Sequence, residues 1–237
     1  TDMGEAGVDD VYGVGMLNLD NATNPQGVSE VSTLSGTSNV YATSMTTSSV
    51  VGDSLSSVSA LDTTMVVDSY NRDYYIDLNQ TVSSIDSALT LNHNFMSFSG
   101  TEQINFDGYT IAINDRNLNN FALGYQHGAC GYVAGNLQED NTFLGTSGSG
   151  ALALNGSETQ HIGINCVKDG ISVRYNVGHS SITGSQGSII TNGRAMVDTW
   201  MVGYNTDHWQ FEFGQPLAVR DGDLNLNMAS SVNTDGT

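Results

Sequence analysis

Two stretches of the sequence combine residue types that could perform nucleophilic catalysis. Ser147 lies in "GTSGSGALAL", and His127 precedes Cys130 by three residues in "QHGACG". Such catalysis requires a nucleophile, a base and a third group that orients the base. The small residues after Ser147 are typical of a Gly/Ser turn, and a histidine near a thiol in a glycine turn is not by itself a catalytic arrangement. We therefore expect no catalytic residue in this chain.

Oxygen-rich stretches are the candidates for a metal site. They are "DNATN" (20–24), "INDRNLNN" (113–120) and "VRDGDLNLN" (219–227). Calcium prefers such ligands, but none of the three has the EF-hand spacing. Asp221, Gly222 and Asp223 are better explained as a hairpin turn, with calcium at Asp221 and Asp223 as the alternative. The five histidines are scattered, and none pairs at metal-ligand spacing. No other cofactor is expected.

The two cysteines, Cys130 and Cys166, have no CxxC motif or histidine cluster beside them. In an oxidising compartment they could form a disulfide, whose loop would stabilise the fold by about 4 kcal/mol in the chain-entropy model. Two buried free thiols are the other possibility. The sequence leaves both open.

Charge and composition limit the classes of partner. The 237 residues include six basic and 25 acidic side chains, for a formal charge of −19. This balance argues against a nucleic-acid or anionic-membrane partner and is typical of a secreted or salt-exposed protein. The sequence has no apolar run long enough for a membrane-spanning helix. Its 27 glycines and two prolines suit many short strands joined by turns.

Alternating hydrophobicity predicts the elements that carry these residues. Ile171, Val173, Tyr175 and Val177 alternate with polar residues and glycine. The same period continues through residues 200–213 around an "NTD" turn. We predict an all-β, antiparallel meander with up to about ten strands after residue 93, and a short N-terminal helix near residues 16–22. A membrane barrel would turn the apolar face to lipid and a soluble sandwich would bury it in a core, so a partial barrel and a sandwich both fit.

Four phrases, in order, resemble the end of the protease domain and the following region in subtilisin-like proteases exported as autotransporters. They are residues 1–22 (with "VYGVGMLNLDNA"), 65–78 ("MVVDSYNRDYYIDL"), 143–163 and 211–228. The family's "D-x-Y-G-R-D" turn corresponds to Asp68, Tyr70, Asn71, Arg72 and Asp73, with Asn71 in place of glycine.

The resemblance implies a C-terminal region without its own catalytic centre. Ser147 and Ser38 each follow "GT", but neither continues into the alanine and proline of the family's nucleophile phrase, and its aspartate and histidine motifs have no match. We expect four segments: a subtilase-end remnant (1–25), a Ser/Thr-rich β-prone linker (26–63), a hairpin and connection (64–92) and a β module (93–237).

The expected function is a noncatalytic structural or anchoring role, outside the cell or at a bacterial cell surface or outer membrane. One alternative is an extracellular filament subunit, self-associating through exposed strand edges and joined by donation of residues 26–63 to a neighbour's sheet. Another is part of a serine endopeptidase whose protease domain and triad lie upstream. The competing fate of residues 26–63 is to cover the chain's own sheet.

Overall fold

A computed structural model describes residues 6–8, 10–11, 15–16, 18–52, 55, 58–85, 101–114 and 119–230. Within these ranges the protein is all-β, as predicted, with one short helix, α1 (Leu19–Thr23). The strands are β1 (Glu30–Thr33), β2 (Gly36–Asn39), β3 (Ser44–Thr47), β4 (Thr64–Val67), β5 (Asp73–Ile76), β6 (Val82–Ser84), β7 (Thr101–Phe106), β8 (Tyr109–Asn114), β9 (Phe121–His127), β10 (Cys130–Asp140), β11 (Thr142–Phe143), β12 (Thr146–Ser149), β13 (Leu154–Lys168), β14 (Ile171–Gly184), β15 (Ile190–Asn205) and β16 (Gln210–Leu226).

Two small four-stranded sheets combine the six N-terminal strands with β11 and β12. Their strand orders are β2-β1-β4-β5 and β11-β12-β3-β6, and all neighbours are antiparallel except β3 and β6. The β4–β5 pair is the hairpin predicted for residues 65–78, and Asn71 occupies its turn with a φ of 59°. That left-handed conformation suits Asn better than most residues.

The third sheet has eight strands in the order β16-β15-β14-β13-β10-β9-β8-β7, all antiparallel. It is open: in the described part of the chain, β7 and β16 each have one neighbour. Four hairpin turns, at residues 107–108, 128–129, 169–170 and 206–209, lie at one end of the sheet, which we call the hairpin end. The opposite end of β13–β16 is the base.

The hydrophobic core lies at the base, where the large sheet packs on the small sheets. Val31, Val66 and Leu152 from the small sheets and their connections join Val197 and Leu217 from β15 and β16 in one buried cluster. Burying each such aliphatic side chain stabilises the fold by about 1.5–3 kcal/mol. This core fixes the base and leaves the hairpin end of the sheet to project from it.

In the described part of residues 26–63 the chain forms β1, β2 and β3, with Val31 and Met45 buried against its own sheets; donation of the segment to a neighbouring chain stays a prediction. One expectation requires correction. The Asp221–Asp223 stretch is not a hairpin turn, because it lies inside β16 and pairs with β15. Residues 93–100, where the β module was expected to begin, lie outside the described ranges.

Candidate functional site

Strand register assigns the side chains of the large sheet to two faces, because directly paired residues share a face. One cross-strand row, which we call the reference row, runs through Phe106, Tyr109, Tyr125, Tyr132, Ile164, Tyr175, Trp200 and Gln215. We call the face that carries this row the aromatic face. The opposite face carries Gly131, Gly163 and Gly203 and is called the glycine face.

The aromatic face exposes large apolar side chains across all eight strands. Its exposed members include Ile104, Phe106, Tyr109, Ile113, Phe121, Leu123, Tyr125, Tyr132, Ile162, Ile171, Val173, Tyr175, Val202, Tyr204, Phe211 and Phe213. Phe213 is 75% exposed and Ile162 is 61% exposed. Scattered exposed apolar residues are ordinary, but a contiguous surface of this kind marks an interface.

Polar side chains are buried on the glycine face of the same strands. Thr159 is 0% exposed and Asn176 is 2% exposed, and the hydroxyls of Thr159 and Ser180 hydrogen-bond at 2.7 Å. Polar groups normally lie outside and apolar groups inside. Toward the hairpin end, this sheet has the reverse arrangement.

Glycines allow the polar side chains of this face to lie flat across neighbouring strands. A Cβ added at Gly135 would lie 2.8 Å from His161 Cε1, and one at Gly131 would lie 2.7 Å from Gln126 Oε1. A Cβ at Gly163 would collide with Asn176 Oδ1. Burial lowers the pKa of His161 to about 4, which hydrogen bonding with the Thr159 backbone offsets only in part. The imidazole is therefore neutral at pH 7.

The strands of the sheet are staggered. Counted from the reference row, each hairpin turn extends about two residues further than the preceding one, from residues 107–108 to 206–209. A shift of about one residue per strand, with about 3.4 Å along a strand and about 4.8 Å between strands, corresponds to a tilt of about 35°. The line of hairpin turns is thus oblique to the strands.

The apolar part of the aromatic face is a band of limited height. On β14 it runs from Ile171 to Val177, and the next residues on that face are His179 and Ser181. This distance is about 20 Å along the strand. Aromatic residues are concentrated toward the hairpin end of the band: Tyr109, Tyr125, Tyr132, Tyr204, Trp209 and Phe211.

An ion pair lies at the lower border of this band. Arg220 donates to Asp198 Oδ2 at 2.7 Å, and Gln215 donates to Asp198 Oδ1 at 3.0 Å. Asp198 is 3% exposed, whereas most of the Arg220 side chain is open to solvent. Both oxygens of the buried carboxylate are therefore hydrogen-bonded, as a buried charge requires.

The structure separates the side chains that the sequence suggested for catalysis or metal binding. Ser147 lies in β12 of a small sheet, and His127 ends β9 of the large sheet. Asp221 and Asp223 are exposed on β16, and no group of three or more potential metal ligands occurs among the residues described. Calcium at these two residues stays a prediction. Cys130 and Cys166 lie opposite each other on β10 and β13 and form a disulfide.

The Asp68–Arg72 turn has a structural role in the fold. Burial would raise the pKa of Asp68, but hydrogen bonds from the Arg72 side chain and from the amides of Arg72, Gln26 and Tyr70 hold it well below its usual range. The Arg72 guanidinium also donates to the carbonyls of Ala22 and Asn24 at the end of α1. It thereby holds a helix that buries none of its own side chains.

Comparison with known proteins does not identify the chain. No protein-family model, no curated protein and no solved structure matches it. In the described ranges, no helix has the length and apolar character needed to span a membrane.

Proposed function

We propose that this chain is a noncatalytic anchoring region at a bacterial cell surface, whose aromatic face contacts the hydrocarbon layer of the outer membrane. The observation that carries the proposal is the reversed burial of the large sheet. On β14, Val173 and Tyr175 are exposed while Asn176 is buried. A sheet in water gains nothing from this arrangement, whereas a sheet beside lipid does, because acyl chains solvate apolar side chains and not polar ones.

The dimensions of the band support the same proposal. Strands of outer-membrane sheets tilt by about 35–45° and carry an outward apolar band about 25 Å tall, bordered by aromatic residues. The stagger of this sheet gives a tilt of about 35°, and its band is about 20 Å long on β14. Tyrosine, tryptophan and phenylalanine side chains near the hairpin turns correspond to an aromatic border at one interface.

The strongly acidic composition is compatible with this contact. A charge of −19 opposes electrostatic attraction to anionic headgroups. The proposed contact is with hydrocarbon, and the apolar part of the band from Ile171 to Val177 on β14 and from Trp200 to Tyr204 on β15 contains no charged side chain on the aromatic face.

The resemblance to subtilisin-like autotransporters supports the extracytoplasmic setting of the proposal. The Asp68–Arg72 turn lies between β4 and β5 in the hairpin that carries the second of the four phrases. The disulfide between Cys130 and Cys166 fits an oxidising compartment outside the cytosol. A protease domain upstream in a parent chain belongs to the same proposal.

Depth-dependent fluorescence quenching tests the membrane contact, because the chain has two tryptophans at different heights. Trp200 lies in the reference row, and Trp209, 69% exposed, lies at the hairpin end. The two should differ in depth by about 15 Å. Trp209→Phe leaves Trp200 as the sole reporter, and Trp200→Phe leaves Trp209.

In vesicles of phosphatidylcholine brominated at a deep or a shallow acyl position, we expect Trp200 to be quenched more by the deep bromines and Trp209 more by the shallow ones. Acrylamide in the water should quench Trp200 less in vesicles than in buffer. Equal quenching of both tryptophans by aqueous acrylamide, with no effect of either brominated lipid, would exclude contact with hydrocarbon. Quenching by neither agent would indicate a second protein layer over the aromatic face.

A further inference from the structure

The glycine face contains a cleft whose chemistry differs from that of its surroundings. The cleft has a volume of about 160 Å³, and its polar lining comprises Thr110, Gln126, Asn165, Arg174 and Asn176. Arg174 is the only charged residue in the lining. The cleft lies beside Gly163 and extends from there toward the hairpin end, because glycine has no side chain to fill this part of the glycine face.

Arg174 is a half-buried cation without a carboxylate partner in the described part of the chain. Arg72 pairs with Asp68 and Arg220 pairs with Asp198, each at 2.7 Å, and Arg194, which has no ion pair in the described part of the chain, is exposed to water. The chain has 25 acidic residues for six basic ones, so carboxylates are abundant. A partly desolvated guanidinium that lacks one favours a negatively charged ligand.

Asn176 supplies a second donor beside this guanidinium. It is 2% exposed, and its Nδ2 has no hydrogen-bond partner among the described residues. A buried donor without a partner destabilises the fold, because it has lost its hydrogen bonds to water and gained none in return. Asn176 and Arg174 are two positions apart on β14 and therefore lie on the same face, with Cα atoms about 7 Å apart.

Neighbouring donors in the cleft are already occupied. The Thr110 hydroxyl donates to Asn105 Oδ1 at 2.6 Å, and Gln126 Nε2 donates to the Gly128 carbonyl at 3.1 Å. Asn165 is exposed to water, so the unfilled hydrogen-bonding capacity of the less exposed lining is concentrated on Arg174 and Asn176, and both groups donate. A ligand that satisfies them must present acceptor oxygens.

We propose that this cleft binds the carboxylate of an acidic side chain on a polypeptide segment that runs along the glycine face. One carboxylate oxygen accepts from Arg174 and the other from Asn176, which matches the two-oxygen geometry of the group. The volume accommodates a carboxylate with its methylene groups and is below that of ordinary cofactor sites. The proposal does not depend on contact of the opposite face with a bilayer.

Titration calorimetry on the full chain with two matched probes tests the proposal. The probes are N-acetyl-aspartate-N-methylamide and N-acetyl-asparagine-N-methylamide, which differ in charge and hardly in size. We expect the aspartate probe to bind at least tenfold more tightly than the asparagine probe. Equal affinity for the two probes would overturn the proposal.

Three variants assign the binding to the cleft. Arg174→Met should weaken the aspartate probe at least tenfold. Asn176→Asp should do the same, because the introduced carboxylate occupies Arg174 from within the chain. Arg194→Met is the matched control, since Arg194 lies on the aromatic face and outside the cleft. This variant should bind the aspartate probe with the affinity of the unmodified chain.

Circular dichroism and the thermal midpoint establish that each variant is folded. Unchanged affinity in a folded Arg174→Met variant would refute the site. Inorganic phosphate serves as a further probe: binding of phosphate more tightly than the aspartate probe would refute the assignment to a polypeptide carboxylate. Asn176→Leu, which removes the donor without adding charge, should weaken the aspartate probe and leave the asparagine probe unchanged.

Discussion

The substitution Val202→Arg tests whether the aromatic face contacts lipid or water, because the two media predict different costs in stability. Val202 is 44% exposed and lies on β15 between Trp200 and Tyr204, opposite Val173 and Phe213. In water, replacing a half-exposed valine changes the free energy of unfolding by about 0.5 kcal/mol or less. In the middle of a bilayer, an arginine on a lipid-facing strand costs about 2–4 kcal/mol. The unfolding equilibrium constant should therefore rise about 30- to 1,000-fold in vesicles.

Guanidinium unfolding in large phosphatidylcholine vesicles, followed by circular dichroism, measures this difference. Glu212→Arg is the matched control, because Glu212 is exposed on the glycine face of the neighbouring strand, cross-paired with Gly203. We expect Val202→Arg to lower the free energy of unfolding by about 2–4 kcal/mol and Glu212→Arg to change it by about 0.5 kcal/mol or less. Equal values for both variants in vesicles would refute the lipid-facing orientation of the aromatic face.

Three further predictions concern stability. Replacing Cys130 and Cys166 together by Ala should lower the free energy of unfolding by about 4 kcal/mol, because the disulfide closes a loop of 36 residues; a change below about 1 kcal/mol in urea unfolding would contradict the chain-entropy account. Arg72→Met should release the end of α1, which hydrogen exchange would detect as faster exchange of the Ala22 and Asn24 amides. Asp68 should lose its stabilising effect only as the pH falls below about 4, because its pKa is lowered in the folded state. Because the pKa of His161 is lowered to about 4, its contribution to the free energy of unfolding should be complete above about pH 6.5 and be lost between there and about pH 4. His161→Gln should flatten that part of the pH profile of unfolding. An unchanged profile would contradict a buried neutral imidazole.

The sequence predicted the strands and their alternation but not the medium that each face meets. The period-two pattern of Ile171, Val173, Tyr175 and Val177 predicts β14 and its apolar face. The strand register in the structure shows that this apolar face continues across all eight strands of the sheet. An apolar face looks the same in the sequence whether it is covered by protein or by lipid. The exposure of Val173 beside the burial of Asn176 adds only that the described part of this chain leaves the aromatic face uncovered at that level.

Local turn signals misled the prediction at Asp221–Asp223. Asp and Gly favour turns, and strands in globular proteins are usually shorter than ten residues. β16 has 17 residues, however, and its register shifts at Met196–Val197 and Asp198–Trp200 absorb irregular stretches without ending the strand. An edge strand tolerates charges and irregularities that a central strand would not. The stagger of the hairpin turns depends on pairing between strands, so no single stretch of sequence carries it.

One strand shows how the two ends of the large sheet differ. At the base of β14, Ile182 is buried in the core on the glycine face, while Ser181 on the aromatic face is exposed. Toward the hairpin end the same face is buried but the polarity of its side chains is reversed, with polar Asn176 buried on the glycine face and apolar Tyr175 exposed on the aromatic face. A strand that buries apolar side chains at one end and polar side chains at the other is what two different environments would favour, since water alone favours apolar burial throughout. The ion pair between the buried Asp198 and the exposed Arg220 lies on β15 and β16 at the level where this polarity changes. The proposed anchoring role requires such a division, with a base held by a protein core and a hairpin end whose outward side chains suit hydrocarbon.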